Sequence, residues 1–236
     1  MNLNGDKCFI MHVGHNNMQG KDNMYNQQLL SKTDDQQDLG IIFTKDLKWQ
    51  KQREKSCDKA NRVLGFIESN FRYKNKELFL PLYKSLVRPN PEYAAYFSSP
   101  RLRRDIDTIE KVQKRATTTS PEIRNHSYHQ RIQYHEVISL IQRRLRGHLI
   151  EVIKYLNELK TASARGLIDD NLNDRTRNNE PNLIVKHLNS SVAQHFYPIK
   201  IKTIWDALPT EVVSSRTVNS FKKRLDKQRA ENPTDV

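Results

Sequence analysis

Between Trp49 and Leu159, apolar residues return at every third or fourth position, and this period constrains the fold more than any other feature of the chain. The spacing puts them on one stripe of a 3.6-residue helix, so each segment must bury that stripe against a neighbour. Cys57, Ala60, Leu64, Ile67 and Phe71 predict a helix over 50–70, with Lys51, Arg53, Lys55, Lys59 and Arg62 largely off the stripe. A second helix is expected over 75–87, kinked at Pro81 and stopped at Arg88-Pro89-Asn90-Pro91. Proline lacks an amide donor and pushes the residue before it out of the helical region. A third helix, over 101–118, turns Leu102, Ile106, Ile109, Val112 and Ala116 inward and Arg101, Arg104, Lys111, Lys114 and Arg115 outward. After a break at Pro121 come a short helix near 128–134 and the longest one, at 137–159. The longest helix carries Ile141, Leu145, Leu149, Val152 and Leu156 on one side, and Arg143, Arg144, Arg146 and Lys154 on the other.

The flanks read differently. KCFIMHVG at 7–14 and DLGIIF at 38–43 are short, β-branched and punctuated by glycine, which predicts strands of an antiparallel fragment. Residues 160–181 are polar and read as a loop. Beyond them lie a strand at 182–188, an apolar patch of Phe196, Tyr197, Ile201, Ile204 and Trp205, and a stop at Pro209. The chain then has a last helix at 217–229, capped by Ser215 or Thr217. The expected fold is mainly α with a small N-terminal antiparallel β fragment (α+β) around a helical bundle. Its segments are 1–48, 49–160 and 161–236.

Charge locates the surface that matters. The chain carries 40 basic and 27 acidic residues, a net +13. Residues 51–160 hold 23 of the basic and 12 of the acidic ones, so nearly all the excess sits on the helices. A localised basic field of this kind suits a polyanion, because each phosphate contact releases condensed counterions. The bland alternative is a solvated cationic surface with no ligand. Two cysteines, Cys8 and Cys57, point to a reducing, intracellular setting, nuclear or cytoplasmic. No run of apolar residues spans a bilayer, and MNLNGDKCF has no signal-peptide core.

The sequence offers no active-site constellation. Asp34-Asp35 lies in a polar connection and Asp169-Asp170 in the 160–181 loop, whereas two-metal chemistry needs carboxylates on a rigid hairpin. Cys8, His12 and His15 are three local groups that strand alternation would send to different faces. No phosphate-cradling glycine loop or nucleophile–base order is present. No cofactor or small-molecule substrate is therefore expected. What remains is basic helix faces with aromatics at the corners: Arg72-Tyr73, Tyr83-Lys84, Arg88, Tyr93, Tyr96 and Phe97. Nucleic-acid surfaces combine these two residue types, although aromatics at helical spacing more often fill a core.

The order of segments resembles the C-terminal part of reverse transcriptases from non-LTR (LINE-type, jockey-like) retrotransposons. The blocks are KCFIMHVGHNN at 7–17, DLGIIFTKDLKW at 38–49, KANRVLGFIESNF at 59–71 and PLYKSLVRPNPEYAAYFSSP at 81–100. IEKVQKRAT at 109–117, RRLRGHLIEVIK at 143–154, DRTR at 174–177, WDALP at 205–209 and TVNSFKKRLD at 217–226 continue the series. The resemblance implies a palm end, a primer-grip strand pair at Leu39, Gly40 and Ile41 with Gly40 at its turn, and a thumb holding template and primer by their backbones. It also implies that the palm aspartate motifs are absent from this chain. The RNA-directed DNA polymerase activity of the family, and its magnesium, would then belong to the intact enzyme, with a palm fragment from elsewhere as a partner. Under this reading Arg101, Arg104, Lys111, Lys114, Arg115, Arg143, Arg144 and Arg146 contact phosphates without reading sequence. The departures are Pro91 where the family generally has Leu, Ser98 where it has Trp, and Thr118-Thr119-Ser120 in place of a more basic and apolar stretch. They fit a decayed copy, and leave open a remnant or protein-interaction module with no nucleic-acid role.

Overall fold

The 3.6-residue period of residues 50–70 becomes helix α1, Gln50–Asn70, burying Cys57, Ala60, Leu64 and Ile67. The computed structural model describes residues 4, 7–13, 24–25, 28–95, 102–159, 168–169, 184–185 and 197–231. It is mainly helical with a small β part, the fold class the sequence predicts. The chain divides into two compact units, Met1–Val137 and Ile138–Val236. The boundary puts the helix after Val137 in the second unit, where the sequence groups it with the helices before it.

The first unit opens with short strands. β1 (Phe9–Ile10) pairs in parallel with β4 (Ser31–Lys32), while β2 (Met24–Tyr25) and β3 (Gln28–Leu29) form an antiparallel pair. The expected all-antiparallel fragment is thus corrected at β1. DLGIIF is also not one strand. β5 (Asp35–Asp38) and β6 (Ile41–Thr44) are antiparallel, Asp38 opposite Ile41, with Leu39 and Gly40 making the turn between them at φ 46° and 78°. A two-residue turn with both residues at positive φ matches strand twist, and glycine is the residue that adopts it freely. The Gln52 side-chain oxygen accepts from the Ile42 amide at 2.9 Å, and the Phe43 and Trp49 rings meet edge to face at 5.5 Å, docking the hairpin on α1.

After α1 the chain returns through α2 (Lys76–Leu82), one π turn (Tyr83–Val87) and α3 (Pro89–Glu92). This corrects the expected stop at Arg88-Pro89. The Arg88 amide reaches back five residues to the Tyr83 carbonyl at 2.9 Å, and Pro89 begins a new turn, where a missing amide leaves no bond unmade. The Asn90 side chain replaces the donor that Pro91 lacks, giving its amide to the Leu86 and Val87 carbonyls at 2.6 and 3.2 Å. The helical path ends at Tyr93, whose ψ is 132°. Helix α4 (Arg103–Thr117) then runs in the same direction as α1: Arg53 meets Asp105, Cys57 meets the Thr108 carbonyl, and Glu68 meets Arg115 and Thr119. Leu102, expected inside, precedes the helix and is exposed. A 3₁₀ turn (Pro121–Ile123) and α5 (Tyr128–Tyr134) follow. Ser127 and Gln130 form the reciprocal capping box at the start of α5.

The second unit contains α6 (Leu140–Leu159), β7 (Ile168–Asp169), β8 (Ile184–Val185), α7 (Tyr197–Asp206), α8 (Thr210–Val213) and α9 (Val218–Glu231). Ile168-Asp169, read from sequence as loop, pairs antiparallel with β8. Helix α8 has no counterpart in the sequence reading. Leu149, Val152, Ile153, Leu156, Ile201, Trp205, Val212, Val213, Phe221 and Leu225 make the core, with the Trp205 and Phe221 rings stacked at 5.7 Å. Of the two candidate caps for α9, Thr217 is the one used, accepting from the Ser220 amide at 3.1 Å. The Ser215 hydroxyl donates to the Val212 carbonyl instead.

Candidate nucleic-acid interface

The orientation of α4 is fixed from inside. Its Gln113 is fully buried, accepts from the Tyr83 hydroxyl at 2.7 Å, and donates to the Tyr128 hydroxyl at 3.1 Å. Tyr128 in turn donates to the Glu110 carboxylate. Burial, then the neighbouring Glu110 charge, push the Tyr128 phenol far above its ordinary range, so it keeps its proton and stays a donor. On the same helix, Asp105 forms a buried ion pair with Arg53 of α1 at 2.8 Å. A polar network of this kind admits one rotational setting of the helix, because any other leaves buried groups unpaired.

That setting turns Arg104, Lys111 and Arg115 outward, all exposed and lying within about 40° on the helix. Lys114 sits to one side, its ammonium 5.5 Å from the centre of the Tyr128 ring, which Arg131 approaches at 5.8 Å. Arg115 lies across to α1, bonded to Glu68 at 2.6 Å. Together with Lys51, Glu54, Lys55, Asp58, Asn61 and Arg62 of α1 it lines an open groove. Lys51 and Lys55 are held upright by Asp35 and Gln37 of the hairpin. Lys59, Arg62 and Lys111 make no ion pair with any described residue.

The primer-grip-like positions stand at the hairpin tip. Leu39 is exposed, Gly40 occupies the turn, and Ile41 is buried. Tyr93 clamps this tip. Its hydroxyl donates to the Leu39 carbonyl, and its ring lies so close that a Cβ on Gly40 would meet it at 3.5 Å. This gives one of the corner aromatics a definite task. Tyr83 is core, Tyr73 is exposed, and Tyr96 and Phe97 lie outside the described residues.

The second unit does not present its arginines as predicted. Arg144 is buried, which corrects its assignment as a surface phosphate contact. Arg146 is engaged by Asp226 through two bonds of 2.7 Å, so its fork is occupied, and Arg143 is half-buried. Arg101 lies outside the described residues. Arg143, Arg144 and Arg146 cannot share one helix face, since successive side chains are about 100° apart, and the four-residue RRLR block hid this.

Asp34 pairs with Lys45 and Asp35 with Lys51, so each carboxylate is already bound to a lysine. The Cys8 thiol donates to the Asn4 carbonyl at 3.2 Å, and His15 and Asp170 lie outside the described residues. Among the described residues no group of three or more His, Cys, Asp or Glu is gathered to hold a metal, and no helix is long and apolar enough to cross a membrane. The sequence reading did not place Lys51, Lys55 and Arg62 in the interface. Their i, i+4, i+11 spacing on α1 was the available signal. No family model, no curated protein and no solved structure matches the chain.

Proposed function

We propose that this chain corresponds to the palm end, thumb and C-terminal module of a non-LTR retrotransposon reverse transcriptase. In this reading it carries no nucleotide-transfer chemistry of its own and holds nucleic acid by the backbone. The observation that carries the proposal is the pair of parallel helices α1 and α4 beside a clamped hairpin: Lys51, Lys55 and Arg62 line an open groove with Arg115, Glu54 and Asp58, and Arg104 and Lys111 are exposed on the same stripe of α4 as Arg115. Cations at the spacing of helical turns, fixed by a buried polar lattice, suit phosphates and carry no means of reading bases. In this reading the family's magnesium belongs to the intact enzyme, and Asp34 and Asp35 here are each bound to a lysine.

The test is binding of a labelled RNA–DNA duplex across a salt series. The affinity is expected to fall steeply between about 50 and 200 mM salt, and Arg104→Gln with Lys111→Gln should flatten the slope by about one to two. Absence of binding at low salt overturns the reading. The competing reading, a helical module that docks on protein, is favoured by Phe66, Tyr73 and Leu86, which are large, apolar and exposed. Self-association on size exclusion, lost with Phe66→Ser, together with no nucleic-acid binding, would select it.

A further inference from the structure

We propose that the junction of α6 and α9 in the second unit is a separate phosphate site, gated by Asp226, that takes the backbone of a nucleic-acid strand. The inference rests on the nucleic-acid reading above and adds a site that reading does not contain. Three cations surround one carboxylate there. Arg146 binds Asp226 with both ends of its fork at 2.7 Å, and Lys222 and Arg229, one turn to either side on α9, act on the same carboxylate. A tether between two helices needs only the Arg146–Asp226 pair. The two further cations leave a local excess of positive charge that no described residue cancels.

The cluster is rigid. Phe221 and Leu225 of α9, beside the charged edge, are fully buried in the core with Leu149 of α6, so that edge is set by packing. Arg229 donates to the Gln142 carbonyl at 3.3 Å, which aims its guanidinium at the junction. Burial lowers the Arg229 pKa, with the Asp226 carboxylate opposing and the more weakly felt Arg146 charge adding to it. Asp226 is half-exposed, so a phosphate can compete with it for the Arg146 fork, and bidentate arginine suits either group. Lys223 extends the basic surface outward along α9.

Asp226 thus acts as a resident competitor, and this gives the test its sign. The full chain is titrated with a mixed-sequence RNA–DNA duplex of about 20 base pairs over a salt series. Asp226→Asn is expected to tighten binding and steepen the salt slope by about one, because an arginine is released to a phosphate. Lys222→Gln with Lys223→Gln, the first half-buried and the second exposed, is expected to weaken binding and flatten the slope by about one to two. Arg229→Lys, which keeps the charge, is expected to retain binding. If the wild-type chain binds and both Asp226→Asn and the double lysine variant leave affinity and slope unchanged, the site is overturned while the reading of the first unit stands. If the wild-type chain does not bind, both fall together. Thermal melting of each variant separates a folding defect from a binding one, and the lysine pair carries the test should Asp226→Asn unfold.

Discussion

His135 is a buried imidazole whose two ring nitrogens find no hydrogen-bond partner. Its ring lies 5.6 Å from that of Phe79 and edge-on to Tyr134, with the Lys76 ammonium, the Glu122 carboxylate and the Thr117 carbonyl as the nearby polar groups. Burial lowers its pKa below the ordinary 6.5, more than the Thr117 carbonyl raises it. The folded state therefore takes up a proton less readily than the unfolded one, and stability is full above the unfolded value. As pH falls through about 6.5, stability is expected to drop until the folded pKa is passed, and His135→Phe should flatten this stretch of a melting-temperature curve. Glycines give a second pair of predictions. Gly65 is inside α1, and a Cβ there would meet only the Arg115 guanidinium at an ordinary 3.9 Å, so Gly65→Ala should stabilise by about 0.5–1 kcal/mol in thermal melts. Gly40 stands at φ 78° under Tyr93, so Gly40→Ala should destabilise by about 1–2 kcal/mol in the same measurement.

At the scale of elements, the register of α4 on α1 depends on a buried ion pair. Arg53 and Asp105 are both nearly enclosed, at 8% and 12% side-chain exposure, so removing one charge strands the other. Asp105→Asn should cost about 3–5 kcal/mol by chemical denaturation, and the double variant Arg53→Met with Asp105→Leu should recover most of it. Sequence alone placed Arg53 on the polar side of its helix, and it lies next to Cys57 at the packed edge. Periodicity ranks residues by apolarity, so it assigns a charged side chain to solvent whether or not a partner waits across the interface. The proline corner shows the same limit. The sequence marks residues 88–91 as a helix stop, and the path instead continues through a π turn into α3, with Asn90 supplying donors, which depends on side chains reaching back to carbonyls.

At the scale of the molecule, charge by itself did not separate working cations from buried ones. Arg104 and Arg144 look alike in sequence, yet one is exposed on α4 and the other is buried in α6. Their substitutions should therefore divide: Arg104→Gln is expected to weaken duplex binding with the melting temperature unchanged. Arg144→Gln should lower the melting temperature, by several degrees for a loss of about 1–2 kcal/mol, with little effect on binding through the first unit. A fluorescence anisotropy titration and a melt on each variant check both arms.

The fold class and the helices α1, α2, α4, α5, α6 and α9 followed from the sequence, because apolar period acts over a few residues, whereas α3, α7 and α8 were not read as helices. The boundaries of α1 and α5 needed nothing beyond local spacing, while the choice of Thr217 over Ser215 as the α9 cap was left open by it. The excess of charge on the helices was equally plain. The tertiary structure decided which charges face a groove, that Tyr93 clamps the hairpin turn, and that Asp226 occupies Arg146 eighty residues earlier in the chain. Those outcomes depend on partners brought together by burial, and a buried polar group's partner is set by the packing of distant segments rather than by its neighbours in sequence.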